Sequence, residues 1–176
     1  MEPKDYTVID LEMTGLSAKS DKVIEIGAVH FRDGKIAETY ATLVNPHIPI
    51  PARVTELTGI TDDMVQQGGI KEDDALAGLI DFIGDDVIVG HNVGFDYSFL
   101  KQWDVNKKRP LAMTACDTLK IARQVLPGLE SKTLENLCVY YQIKREQAHR
   151  ALDDSIETGI LFEKLKEEIE QRISEK

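Results

Sequence analysis

A chain of 176 residues with 21 Lys and Arg against 31 Asp and Glu has the length for one domain with a sizeable core. Its net charge of −10 opposes sequence-blind attraction to a phosphate backbone, so nucleic-acid chemistry would need cations in the site, a local basic patch or a partner that presents the substrate. No apolar run approaches the roughly 20 residues of a membrane span. The opening MEPKDYTVID lacks a charged-then-apolar leader. Cys116 and Cys138 are the only cysteines and read as small core residues in a reducing compartment. The expectation is a cytoplasmic protein with no membrane segment.

Residues 6–13 read as a strand. Residues 23–32 (VIEIGAVHFR) and 35–44 (KIAETYATLV) alternate apolar with polar residues. Asp33-Gly34 between them is a strong two-residue hairpin pattern, so the first three strands predict an antiparallel meander. NPHIPIP, 45–51, is too rich in proline for strand or helix and reads as a loop. Short helical pieces follow over 52–57 and from Thr61, whose TDDM suits an N-cap with acids in the first turn. Residues 72–84 are amphipathic, with Leu76, Leu79, Ile80 and Ile83 at helical spacing.

Residues 87–89 form a short apolar strand ending at Gly90, after which Asn92 can cap a helix over about 93–103. Residues 116–126 and 133–141 read as further helices, separated by Pro127-Gly128. A final helix starts near Arg150 and runs to the terminus, its tail KLKEEIEQRISEK a solvated helix end. Repeats, low-complexity tracts and a splitting linker are absent from the sequence. A β-meander followed by alternating strands and helices predicts a single α/β domain, 1–176, with helices flanking a mixed sheet.

Three stretches carry chemistry. In VIDLEMTGL, 8–16, Asp10 and Glu12 lie two apart on a strand, hence on one face, where like charges repel unless a cation joins them. Carboxylates are the hard oxygen ligands that Mg²⁺ and Mn²⁺ prefer. HNVGFDYSFL, 91–100, begins where an apolar strand ends and puts Asp96 in the first turns of a helix. HRALDD, 149–154, opens the last helix. His149 and Asp154 are about 140° apart on a helix, so both can lean to one point only if His149 precedes it. Each motif alone has a plain structural reading as a frayed strand end, a turn and cap, or dipole compensation.

Together, in this order and spacing, the three stretches resemble the three motifs of the DEDDh class of 3′→5′ exonucleases, the family of the DNA polymerase III epsilon proofreading subunit and RNase T. The resemblance extends over about residues 6–162. It implies a ribonuclease H-like fold with a five-stranded mixed sheet. It further implies two divalent ions, Mg²⁺ or Mn²⁺, held by Asp10, Glu12, Asp96 and Asp154, with Asp10 bridging and His149 as general base. The family's His-plus-five spacing selects Asp154 over Asp153; helical periodicity alone leaves both open.

Thr14, Gly15 and Leu16 resemble the segment whose backbone meets the terminal nucleotide. LTGIT, 57–61, resembles the segment flanking the terminal base, although some relatives carry His where this chain has Thr58. Asn92 joins these as a substrate contact, and Phe95 is expected in the core. The implied substrate is a nucleic acid 3′ end, DNA first, with proofreading or repair as the setting and a DNA polymerase subunit as a partner. The last helix leaves little length for the tethering tail of the bacterial epsilon subunit. RNA 3′-end trimming and a non-catalytic binding module are the competing expectations.

Overall fold

The computed structural model describes residues 3–107 and 113–174. A six-stranded mixed sheet, in the order β4-β3-β2-β1-β5-β6, is covered by helices on both faces. The meander forms as expected from β1 (Asp5–Met13), β2 (Val23–Arg32) and β3 (Lys35–Asn45), all antiparallel. Asp33 and Gly34 both take positive φ, 47° and 72°, the mirror-image turn whose twist matches the paired strands. On the far side, β5 (Ile88–Gly90) runs parallel to β1, and β6 (Ala115–Asp117) parallel to β5.

The sheet has one strand more than the five expected. The extra strand is β4 (Ile70–Lys71), two residues pairing in parallel with the end of β3. Cys116, expected in a helix, lies in β6, and helix α5 (Thr118–Val125) starts two residues later. Asp117 marks the boundary: its side chain accepts from the Leu119 N–H and caps α5.

Helices α1 (Ala52–Thr58) and α2 (Asp62–Gly68) close the crossover after β3. The Thr61 hydroxyl caps α2 by accepting from Met64 N–H at 3.2 Å. On one face of the sheet, α3 (Glu72–Ile83) and α4 (Gly94–Lys107) pack Leu76, Leu79, Phe99 and Leu100 against Ile9, Leu11 and Ile26. On the other face, α7 (Ala151–Ser174) lays Phe162 on Tyr6, Val8 and Phe31, and α5 and α6 (Leu134–Tyr140) pack behind it. The last two residues of the expected final helix lie outside the described residues.

Covering both faces corrects the half-exposed reading of β2. Residues 23–29 are buried without interruption, because α7 covers one face and α3 with α4 the other. Among the described residues, no helix is long and apolar enough to cross a membrane.

Candidate active site

Alternation along β1 turns Ile9 and Leu11 towards α3 and α4, and turns Asp10 and Glu12 towards α7. The start of α7 comes down on this second face and delivers Asp154, the helix's fourth residue. One carboxylate oxygen from each of Asp10, Glu12 and Asp154 lies within 4.8 Å of the other two. Asp154 is buried and Asp10 and Glu12 are half-buried. Asp153, its chain neighbour, lies outside this group among the described residues.

Asp96 reaches the same end of the sheet from the first turn of α4. Its Oδ1 accepts the Leu11 backbone N–H at 2.9 Å, between the two acids of β1. It is the neighbouring charge that raises the Asp10 carboxyl most. His149 sits two residues before α7 with φ of 60°, and its backbone N–H is bonded to the Asp154 carboxylate. The expected four acids and histidine therefore gather at one end of the sheet, with His149 on the loop and Asp154 on the helix.

The electrostatics of this cluster are those of crowded acids that nearby arginines compensate only in part. Burial first, then the charges of Asp96, Glu12, Asp154 and Glu25, push Asp10 well above the usual carboxylate range. Glu12 rises to about 8 for similar reasons, burial leading and Asp154 next. Burial lifts Asp96 to about 7 against the lowering effect of the Leu11 N–H. Asp154 is raised by burial and partly relieved by Arg145, whose Nη2 donates to Oδ1 at 2.7 Å. Arg145 also grips the buried Glu157 through Nε at 2.6 Å. Such a donor set, hard oxygens crowded in a half-buried pocket, fits a divalent cation.

The expected substrate contacts divide into two groups. Thr14 is buried and its hydroxyl is engaged within its own turn, donating to Asp21 Oδ1 at 3.2 Å and accepting the Lys22 N–H at 3.0 Å. The space a side chain would need at Gly15 is filled by the Asp21 carboxyl, 2.5 Å from an added Cβ. Thr58 is buried too, its hydroxyl donating to Val54 O and accepting from Ile60 N–H. By contrast, Leu16 is 71% exposed, and Asn92 stands open with φ of 62°. Phe95 is 40% exposed, which corrects the expectation of a core residue: it lies on the outer side of α4 while Phe99 and Leu100 face the sheet. Sequence reasoning missed Arg145 and Glu157, which pair 12 residues apart across the start of α7, and Glu25, whose partner Arg150 lies 125 residues away.

The sequence pattern of the exonuclease family matches residues 7–162. The chain belongs to the exonuclease family. It is 39% identical over 170 residues to a PolC-type DNA polymerase III of Clostridium perfringens; that match covers 94% of this chain and 12% of the relative. The chain thus spans about an eighth of the length of the PolC-type relatives it matches. It is 38% identical over 169 residues to the DNA polymerase III epsilon subunit of Aquifex aeolicus, covering 93% of this chain and 81% of the relative. Among solved structures it resembles Exonuclease X in complex with 5′ overhanging duplex DNA, at 26% identity and a TM-score of 0.74, covering 92% of this chain and 91% of that one.

Proposed function

We propose that this exonuclease hydrolyses the phosphodiester bond at the 3′ end of DNA and releases nucleoside 5′-monophosphates, with residues 1–176 forming one exonuclease domain. The observation that carries the reading is the convergence of Asp10, Glu12 and Asp154 within 4.8 Å, with the His149 backbone N–H bonded to the third of them. Likeness to an epsilon subunit and to an Exonuclease X–DNA complex supports DNA as the substrate and proofreading or repair as the setting. A DNA polymerase, in the cytoplasm, is the partner that these relatives favour.

Asp10, Glu12 and Asp154, with Asp96 beside them, would hold two divalent ions, Mg²⁺ or Mn²⁺. When bound, such a pair acidifies a water and neutralises charge on the departing 3′ oxygen. The protein's own groups do the rest. The β1 acids stand where the strand meets the start of α7 and would seat the cations that carry the phosphate. His149, carried on a backbone bonded to Asp154, accepts the proton of the attacking water, a role imidazole suits near neutral pH. Leu16 and Asn92, the exposed members of the expected substrate contacts, meet the terminal nucleotide, while Thr14, Gly15 and Thr58 shape the turns behind it.

A metal site of this kind would meet only the phosphate, so the choice of DNA over RNA lies in contacts to the sugar 2′ position and the bases. The test offers 3′-recessed mismatched DNA, single-stranded DNA and RNA with Mg²⁺, Mn²⁺ or EDTA. DNA shortened faster than RNA supports the reading. RNA preferred over both DNAs points to 3′-end trimming, and no shortening of any strand points to a binding module.

A further inference from the structure

A fifth acid stands in the cluster and is occupied otherwise. Glu25 lies on β2 directly opposite Glu12 and is 6% exposed. Both its oxygens are taken. Oε1 accepts from Arg150 Nη2 at 2.6 Å and Nε at 3.1 Å; Oε2 accepts from the Ala151 backbone N–H at 2.9 Å and from Arg150 Nε at 3.2 Å. It stays outside the group of oxygens that Asp10, Glu12 and Asp154 bring together.

Its two partners are the residues that follow His149 in the chain. Two further contacts seat the same turn on β2. An added Cβ at Gly27 would lie 2.2 Å from the Ala151 carbonyl carbon, so the helix backbone rests directly on the strand. The Ser155 hydroxyl donates to Gly27 O at 3.1 Å. His149 holds a left-handed backbone conformation that non-glycine residues keep only where their surroundings impose it.

We propose that Glu25 is a positioning residue of the nuclease: through Arg150 and the Ala151 amide it fixes the turn that aims His149 at the acid cluster. The inference rests on the function proposed above. A planar guanidinium held at both nitrogens by one carboxylate fixes orientation as well as distance, which a single hydrogen bond does not. Beyond the charge it adds beside Asp10 and Glu12, Glu25 acts on the reaction through that turn.

The test has two readouts. In the metal-free protein, amide hydrogen exchange is compared between wild type and Glu25→Gln; the inference expects exchange across residues 148–152 to quicken about tenfold while β1 keeps its protection. On a 3′-recessed DNA, kcat should fall about tenfold to a hundredfold, with KM and the Mn²⁺ dissociation constant within about threefold of wild type. Introduced into His149→Ala, Glu25→Gln should cost less than about threefold more, because the group it positions is gone. Arg150→Lys, which keeps the charge and loses the fork, should show the same pattern in milder form and stands in if Glu25→Gln does not fold. Unchanged exchange, or an equal loss in the His149→Ala background, overturns the inference. A wild type inert on every substrate overturns the function instead, and the exchange comparison still decides the seating.

Discussion

The Asp96 carboxylate accepts the backbone N–H of Leu11 at 2.9 Å, across 85 positions of sequence. Leu11 lies between Asp10 and Glu12, so α4 is fastened to β1 at the point where its two acids project. The bond joins charge to fold, and substitutions separate the two. Asp96→Asn keeps an oxygen that can accept the Leu11 N–H, and should leave metal-free stability at pH 8 equal or higher while exonuclease activity drops about a hundredfold. Asp96→Ala strands a buried N–H and should cost about 1–2 kcal/mol in denaturant unfolding as well.

The pH dependence of stability follows from the raised acids. In the folded protein Glu12 titrates at about 8 and Asp96 at about 7, whereas unfolded carboxylates release their protons near pH 4. Between these limits the folded state holds protons the unfolded state has lost, so stability falls as pH rises towards 8. The metal-free melting temperature should therefore be higher at pH 5 than at pH 8. Mg²⁺ or Mn²⁺ should raise it more at pH 8 than at pH 5, and Glu12→Gln should flatten the metal-free pH dependence.

Asp153 and Asp154 are neighbours with different surroundings. Asp154 is buried against Asp10 and Glu12, while Asp153 is half-buried outside that group. Asp154→Asn should reduce metal-dependent hydrolysis by about a hundredfold or more, and Asp153→Asn should stay within about threefold. Steady-state rates on one DNA substrate distinguish the two. The reverse order would move the metal ligand by one residue.

Arg145 neutralises two acids at once, Asp154 at 2.7 Å and Glu157 at 2.6 Å, and one oxygen of Glu157 is buried without a hydrogen-bond partner. Arg145→Met leaves both acids uncompensated. Solvent reaches the arginine in part, so the cost should be about 2–3 kcal/mol, at or below the low end for a broken buried pair. Added Mg²⁺ should recover part of the loss, since a cation replaces the missing charge at Asp154 but not at Glu157. Urea unfolding with and without Mg²⁺ measures both.

What the sequence showed and what it hid differ in the range of the interactions. The Asp10–Glu12 alternation, the Asp33-Gly34 turn and the Thr61 cap are encoded within a few residues, and each is found in the fold. Strands β4 and β6, two and three residues long, exist only because neighbouring strands offer them partners, and their own sequence has no period to read. Cys116 and Asp117 run straight into the amphipathic LKIARQV, which pulled the expected helix start back over them; the cap at Asp117 was the available sign. Glu25 read as the polar half of an alternation. Its burial becomes visible only once Arg150, 125 residues later, lies on the same face.

The most direct test of the whole account follows the strand end from which nucleotides leave. A 5′-labelled 3′-recessed DNA is incubated with Mg²⁺, beside Asp10→Ala and an EDTA control. The acid cluster predicts a ladder of 5′-labelled strands, each one nucleotide shorter, in the wild-type reaction alone. Release of a labelled mononucleotide as the first product, or an equal ladder from Asp10→Ala or in EDTA, would contradict it.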